Sequence, residues 1–421
     1  MFKRVKKLLS ILGPGFITGA SDDDPSGIAT YAQTGAQFGY QQLWASPFSF
    51  PFMTVIQEMC GRIGLVSGRG LAGVIRKHYS VPVLYVAVLI LFIANTVNIG
   101  ANLGAMAGSA SLLFNIPFIF WLIGMTVVTL LLEVFVSYKV YSRYLKYLAF
   151  SLFAYILVFL IVKQDWSKIL ISTIIPSISF DKNYLFNIVA ILGTTIAPYL
   201  FFWQGTEEVE EEVEKGKIMG IGRGIPKVSK RDIREMRIDT VIGMFFSNLV
   251  MFFIIATFAS TLFISGIHNI ETADQAAEVL RPLAGDFAYL LFAAGIIGTG
   301  LLSVPILAGS ASYAVSEAFG WREGLYQKFT QAHGFYGVIT IATLVGLLVN
   351  FLHISSFKML YYTAVLNGIA APPLLILILL ISNNEKIMGE RKNSILSNIL
   401  GIIITVVMSA AALLLLFNLL F

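Results

Sequence analysis

Three consecutive aspartates interrupt an apolar stretch near the start of the chain. Asp22, Asp23 and Asp24 are followed directly by Pro25, and Gly27 comes two residues later. A charged side chain at the centre of a bilayer costs roughly 2.5–3.5 kcal/mol on insertion scales, so we expect Asp24 to serve a function. Proline lacks a backbone donor and glycine tolerates many backbone angles, so the motif predicts a broken helix. A carboxylate beside free carbonyl groups suits a cation.

Two further features each have two interpretations. Asp22 and Asp23 could line an outer vestibule and concentrate cations, or they could simply be solvated there. A second interruption lies at Gly193–Tyr199, where Pro198 breaks an otherwise regular apolar stretch. A proline kink is as typical of an ordinary membrane helix as of a binding site.

The composition sets the class of protein that must hold these groups. Hydrophobic residues make up 57% of the 421 residues and charged residues 13%, whereas soluble domains carry about 25% charged residues. This excludes an ordinary soluble enzyme, and the high hydrophobicity excludes disorder. The single cysteine, Cys60, excludes a disulfide framework and a cysteine-based metal cofactor. Basic residues lie between apolar blocks, so the net charge of +5 does not indicate a nucleic-acid partner.

Apolar stretches long enough to cross a bilayer as helices recur along the whole chain. They lack the alternation of a membrane β-barrel, so the sequence predicts an all-α integral membrane protein in contact with the lipid bilayer. Eleven transmembrane helices are expected, at 11–38, 42–64, 82–113, 117–136, 145–162, 185–206, 238–263, 287–316, 335–352, 357–381 and 395–420.

Lysine and arginine are distributed unevenly between the connecting segments. With the N-terminus in the cytoplasm, 24 of the 29 basic residues fall in the inner segments and five in the outer ones. This distribution follows the positive-inside rule and predicts a multi-pass protein of the plasma membrane. An odd number of spans then places the C-terminus outside the cell.

The two interrupted spans are the first and the sixth, which are equivalent positions in two halves of five spans. Such a pair is typical of an inverted-repeat transporter with its site at the membrane midplane. We therefore expect one transmembrane transport domain over residues 1–421. Its first five-helix repeat would cover 11–162, the inverted second repeat 185–381, and an additional helix 395–420.

The first-span motif also carries a family resemblance. The chain resembles the Nramp family of divalent-metal transporters, and most closely its magnesium-transporting branch, in the runs GPGF at 13–16, DPSGIAT at 24–30, GAQFGY at 35–40, LW at 43–44 and RIG at 62–64, and at Gln57 and Gly68. This resemblance implies a leucine-transporter-like fold of two inverted five-helix repeats plus one helix, with helices 1 and 6 broken. It also implies alternating access around a central metal site.

In that family the metal site combines an Asp-Pro-Gly-Asn stretch in span one with an Ala- or Val-Met-Pro-His stretch in span six. Asp24 and Pro25 match the first stretch, and Gly27 takes the place of its asparagine. In span six, Ala197 takes the place of the methionine and Tyr199 that of the histidine. The resemblance therefore implies a metal site from which the sulfur ligand has been lost.

A wide site without sulfur favours a hard cation. Thioethers suit transition metals, whereas Mg²⁺ takes octahedral oxygen ligands and keeps several waters. We expect a partly hydrated Mg²⁺ on Asp24, with Mn²⁺ as a further substrate, and with ligands near Gly27 and at Thr194 or Thr195. Asn367 in span ten lies within one or two residues of a family glutamine that reaches the metal, so it is a further candidate.

Titrating groups that the family uses for proton movement are replaced here. Span three carries Asn95, Asn98 and Asn102 but no carboxylate, and a later family histidine in span six is Gln204. Amides do not bind and release protons, so we expect transport without proton coupling. The membrane potential suffices, because a divalent ion moving inward across 100 mV releases about 4.6 kcal/mol. The asparagines could equally form hydrogen bonds between helices.

The end of span six is rich in acids. Gln204, Glu207 and Glu211 share one side of this helix end. They could line an inner vestibule that draws ions toward the cytoplasm. The pattern favours a solvated helix end that is salt-bridged to the basic loop after it.

Other functions remain possible on the same sequence. The first alternative is a proton-coupled Mn²⁺ or Fe²⁺ symporter, and the second is a sodium-coupled amino-acid symporter. A non-transporting metal sensor is the third. The sequence predicts neither an enzyme nor a cofactor beyond the transported ion, and we expect a monomer.

Overall fold

The computed structural model describes residues 13–114, 116–136, 140, 148, 152–270, 273–352 and 354–420. Within these ranges the regular structure is helical. The helices are α1 Pro14–Asp22, α2 Pro25–Phe38, α3 Ala45–Ser67, α4 Leu71–His78, α5 Val81–Phe114, α6 Phe118–Phe135, α7 Phe153–Ile161, α8 Trp166–Ile174, α9 Lys182–Thr195, α10 Pro198–Glu214, α11 Lys230–Phe258, α12 Ala273–Phe319, α13 His333–Val349, α14 Ser356–Asn383, α15 Glu385–Met388 and α16 Ile395–Leu420.

Each predicted span corresponds to helix in the described residues. Seven stretches there are long and apolar enough to cross a membrane: α5, α6, α9 with α10, α11 with its extension to Phe263, the part of α12 from Leu290, α14 and α16. The other four spans are α1 with α2, α3, α7 and α13. Most of the predicted start of span five, at 145–147 and 149–151, lies outside the described residues. The sequence missed three short helices, α4, α8 and α15.

Both predicted breaks are present. Asp23 and Asp24 separate α1 from α2, and Pro25 takes the first position of α2, where a backbone donor is not needed. Ile196 and Ala197 separate α9 from α10, and Pro198 again opens the second half. The first and sixth spans are therefore broken in the same way.

Helix packing relates the two halves to each other. Helix α2, the second half of span one, packs along α11, and α10, the second half of span six, packs along α3. Exchanging spans one and six together with spans two and seven converts one contact into the other. Glycine allows both close approaches. A β-carbon on Gly35 of α2 would lie 2.4 Å from the carbonyl oxygen of Ile255, and one on Gly64 would lie 1.9 Å from the carbonyl oxygen of Gly205. These equivalent contacts are the ones expected of two five-helix repeats.

Loops that were predicted to share one side of the membrane lie at one end of the bundle. Gly222 donates a backbone hydrogen bond to Gly68 over 2.7 Å, and Arg69 donates to the carbonyl of Gly222. The Gln42 amide donates to the Tyr184 carbonyl at the opposite end. The relative sidedness of these loops thus follows the predicted topology.

Candidate metal site

Asp24 lies at the centre of the bundle, at the first break. It caps the N-terminus of α2, where its Oδ1 accepts hydrogen bonds from the Ser26 hydroxyl over 2.6 Å and the Gly27 backbone N–H over 2.8 Å. The carboxylate is almost completely buried. The break thus fixes the carboxylate by local capping geometry, because an N-cap side chain satisfies donors that the helix leaves free.

The second oxygen of Asp24 faces span three. Its Oδ2 accepts from the side-chain amides of Asn98 over 3.1 Å and Asn102 over 2.9 Å. The Asn102 amide also donates to Ser303 Oγ on α12, and the Asn98 carbonyl oxygen accepts from Thr363 Oγ1 on α14. The two asparagines therefore link three helices to the carboxylate. The sequence left their role open between hydrogen bonding from helix to helix and contact with the ion.

The second break reaches the first through oxygen atoms. A β-carbon on Gly27 would lie 3.0 Å from the Asp22 carbonyl oxygen and 3.1 Å from Thr194 Oγ1, so both oxygens border the space beside Gly27. The Tyr199 hydroxyl donates to the carbonyl oxygen of Ser21 over 2.8 Å. Thr194 and Tyr199 thus lie beside the first break, next to Gly27 and Ser21 respectively.

Three other candidates are buried but form no hydrogen bond to Asp24 in the described part of the chain. Ala197 caps α10 and is fully buried. The Thr195 hydroxyl donates to the Ile191 carbonyl of its own helix. Asn367 is buried one turn after Thr363 on α14, and its amide nitrogen has no hydrogen-bond partner in the described part of the chain. Asn367 therefore has a free donor on the helix that contacts Asn98.

Asp22 and Asp23 are buried rather than solvated. Oδ2 of Asp22 accepts a hydrogen bond from Ser247 Oγ on α11 over 2.6 Å. Neither carboxylate oxygen of Asp23 has a partner among the residues described. These two acids face a different side of the broken span from Asp24.

The acidic end of α10 is also mostly buried. Gln204 is fully buried and donates to Glu208 over 2.8 Å, and Glu207 is buried as well. Glu211 forms an ion pair with Lys215 over 2.6 Å. The favoured interpretation of a solvated, salt-bridged end therefore describes Glu211, whereas the helix face that carries Gln204 and Glu207 packs into the protein.

A polar network lies between the site and the predicted outer face. The Asn187 amide donates to Thr34 Oγ1 over 2.8 Å and to the side chain of Gln42, and its carbonyl oxygen accepts from the Tyr361 hydroxyl over 2.7 Å. Tyr361 also lines a cavity of about 500 Å³ together with Gln33 and Lys358. The network thus connects α2, α9 and α14 beside this cavity.

Among the described residues, no three His, Cys, Asp or Glu side chains lie close enough together to hold a metal ion. A metal at Asp24 would therefore depend mainly on neutral oxygen ligands beside the carboxylate. The sequence missed Ser26, whose hydroxyl donates to Asp24, and Ser303, whose hydroxyl accepts from the Asn102 amide. Ser26 could have been found, because it lies two residues after an expected helix cap, whereas Ser303 has no local signal.

The sequence also matches known proteins. Residues 15–418 match the family model described as natural resistance-associated macrophage protein-like, Nramp. A divalent metal cation transporter MntH from Mesorhizobium japonicum is 29% identical over 333 residues, which cover 75% of this chain and 68% of that protein.

Solved structures extend the comparison to the fold. The Eremococcus coleocola manganese transporter in complex with an aromatic bis-isothiourea compound superposes with a TM-score of 0.75 at 18% identity, covering 98% of this chain and 86% of that one. MhsT in complex with L-phenylalanine gives a TM-score of 0.58 at 13% identity, covering 96% and 97% of the two chains. These similarities confirm the predicted leucine-transporter-like fold.

Proposed function

The chain belongs to the Nramp family, and from this premise we propose that it carries divalent metal ions, chiefly Mg²⁺ and also Mn²⁺, into the cytoplasm by alternating access. Transport would run without proton coupling. The N-terminus would lie in the cytoplasm and the C-terminus outside the cell, in the plasma membrane. Residues 1–421 would act as one monomeric transport domain, with repeats at 11–162 and 185–381 and an additional helix at 395–420.

One observation carries this proposal: the four donors to the Asp24 carboxylate do not titrate. They are the Ser26 hydroxyl, the Gly27 backbone N–H and the amides of Asn98 and Asn102. Hydrogen bonds from neutral donors favour the ionised carboxylate without supplying or accepting a proton. These four donors thus hold a charge for a cation and do not themselves relay a proton.

The donor chemistry supports Mg²⁺ as the main substrate. Oxygen atoms of Thr194 and of the Asp22 backbone border the space at Gly27, next to the carboxylate. Hard oxygen ligands suit Mg²⁺, which is reluctant to lose its waters. Ala197 contributes no sulfur, and Gly27 contributes no side chain. An ion that retains part of its hydration shell would fit these neutral oxygens better than a dehydrated transition metal.

The competing function is the proton-coupled Mn²⁺ or Fe²⁺ symport of the mainstream family. The relative from Mesorhizobium japonicum carries the name of a divalent metal cation transporter. A sodium-coupled amino-acid symporter would share the fold with MhsT, but Asp24 would then place a negative charge where a substrate carboxylate must bind. Uncoupled transport predicts no proton flux, whereas the symporter predicts protons that enter with the metal, so a measurement of proton flux distinguishes the two functions.

Purified protein in liposomes that contain Mg²⁺-, Mn²⁺- and pH-sensitive dyes provides the test. We expect Mg²⁺ uptake that follows the membrane potential and leaves the internal pH unchanged. Internal acidification in proportion to metal uptake would reject uncoupled transport. Asp24→Ala should abolish uptake, and Glu133→Gln serves as its control, because Glu133 is another buried acid but lies on α6. Normal uptake by Asp24→Ala would remove this carboxylate from the site.

A further inference from the structure

The carboxylates of Asp22 and Asp24 point to opposite neighbours of the same broken helix. Asp24 is bound by amides of α5, whereas Asp22 accepts a hydrogen bond from Ser247 on α11. Asp23 lies near the same serine, but its two oxygens have no hydrogen-bond partner in the described part of the chain. Oδ1 of Asp22 also lacks one there. Three carboxylate oxygens are therefore left unsatisfied on this side of the break.

Two buried phenols lie in the same region. Tyr31 and Tyr155 are both at most 2% exposed, and neither hydroxyl has a hydrogen-bond partner among the described residues. Both rings interact electrostatically with Asp23. Buried polar groups in proteins are almost always satisfied by protein atoms, water or an ion. The unsatisfied phenol oxygens therefore indicate a ligand between α2, α7 and the acidic pair.

The charge of the pair identifies the class of that ligand. The charged groups that act on Asp22 and Asp23 are carboxylates, namely those of the pair itself and of Asp24. An unpaired buried charge is costly, so two adjacent carboxylates require a positive partner. A divalent cation balances two negative charges, and hydroxyl oxygens with retained waters can complete its ligand shell.

We propose that Asp22 and Asp23, with the hydroxyls of Ser247, Tyr31 and Tyr155, form a second binding site for a partly hydrated divalent cation. This proposal rests on the proposed function, because it takes the ion to be the transported one. Asp22 connects the two sites, since its backbone carbonyl borders the space at Gly27 while its carboxylate faces α11. The pair precedes Asp24 in the span, so an ion would reach it on leaving Asp24 toward the cytoplasm.

Equilibrium binding of Mn²⁺ to the full chain in detergent tests this proposal without any transport measurement. Electron paramagnetic resonance counts the free and bound Mn²⁺, and two ions close together broaden each other's signal. We expect about two Mn²⁺ per wild-type chain. Asp24→Asn should retain one ion and lose the broadening. The Asp22→Asn and Asp23→Asn double variant should also retain one ion, now at Asp24.

Glu133→Gln is the matched control, because Glu133 is a buried acid without hydrogen-bond partners in the described chain and lies on α6, away from the pair. It should bind two ions. Tyr155→Phe removes only a hydroxyl and should weaken the second Mn²⁺ about tenfold, in the range seen when groups around a metal are lost. This variant covers the case in which the double variant fails to fold.

Several results would overturn the second site. Loss of all Mn²⁺ binding in Asp24→Asn would show that the acidic pair binds no metal by itself. An unchanged count of two in the double variant would place the second ion elsewhere. The pair would share a proton instead of binding an ion if two results came together. The wild type would bind only one ion, and alkaline titration would release one proton per chain that the double variant does not release. Failure of uptake in Asp24→Ala tests the proposed function separately from these counts.

Discussion

The Asn102 side-chain amide donates to Oδ2 of Asp24 over 2.9 Å, from a helix 78 positions further along the chain. The same amide nitrogen lies 3.2 Å from Ser303 Oγ, so the asparagine is fixed between α2 and α12. An amide at this position holds the carboxylate without competing for its proton. A carboxylate at the same position would share a proton with Asp24, because two acids in contact cannot both ionise readily.

Asn102→Asp should therefore make transport depend on pH. We expect Mg²⁺ uptake at pH 7.5 to change at least tenfold relative to the wild type, and the uptake to vary steeply between pH 5.5 and 8. Liposome uptake normalised to folded protein measures this. Asn95→Asp is the control on the same helix, because the Asn95 amide donates to the Leu307 carbonyl and not to Asp24. A flat pH profile for Asn102→Asp would contradict the role given to this amide.

The broken spans could be predicted from the sequence because their causes are local. Proline at positions 25 and 198 removes a backbone donor wherever the chain folds, and Asp24 precedes the first proline as a helix cap. The direction in which each aspartate points is set by partners more than 70 positions away. Ser247, Asn98 and Asn102 therefore had no local signal as partners for particular carboxylates.

The acidic end of α10 shows a different limit. Charged residues at i and i+4 indicate a shared helix face, but they do not reveal what covers that face. Glu210 accepts hydrogen bonds from the Tyr313 hydroxyl and the Leu325 backbone, which come from α12 and the loop after it. The sequence pattern is typical of a solvated surface, but in the folded chain this part of α10 is buried against α12 and the loop after it.

Sulfur chemistry gives the second prediction. Ala197→Met should add a thioether beside the second break and raise Mn²⁺ and Cd²⁺ uptake relative to Mg²⁺ about tenfold, because soft ligands favour these metals. Competition of each metal with Mg²⁺ in liposomes measures the ratio. Met106→Leu is the control: the Met106 sulfur lies against Gly300, next to the ring of Pro25. If Met106→Leu alone reduced Mn²⁺ uptake, the sulfur of Met106 would already contribute to metal binding, and the proposal of a site with only oxygen ligands would be wrong.

A pair of glycines gives the third prediction. A β-carbon on Gly64 would lie 1.9 Å from the Gly205 carbonyl oxygen, so Gly64→Ala must push α3 away from α10. We expect a loss of about 1–3 kcal/mol in stability, as for other overpacked contacts. Gly205→Ala is the matched control, because its nearest neighbour would be the Cys60 carbonyl oxygen at 3.3 Å. Thermal unfolding in detergent should separate the two variants, and equal melting temperatures would contradict this packing.

The loop between α12 and α13 gives a prediction about pH. Burial raises the pKa of Glu323 well above its usual range, and the nearby Glu317 and Glu210 raise this pKa further, although Arg69 and Arg76 oppose them. A raised folded-state pKa means that the folded chain binds the proton more tightly than the unfolded chain does. Glu323 therefore costs no stability at acid pH, and its cost grows as the pH rises above the unfolded pKa, reaching a plateau above the folded one.

Glu323→Gln should remove this cost, because the amide resembles the protonated acid. We expect its melting temperature to exceed that of the wild type by about 2–4 °C at pH 8, a shift that corresponds to roughly 1 kcal/mol in a domain of moderate size. The difference should shrink toward zero near pH 4.5. Glu390→Gln provides the comparison, because Glu390 is exposed on another loop at the same end of the bundle. A constant difference between Glu323→Gln and the wild type across this pH range would show that the effect does not come from ionisation of Glu323.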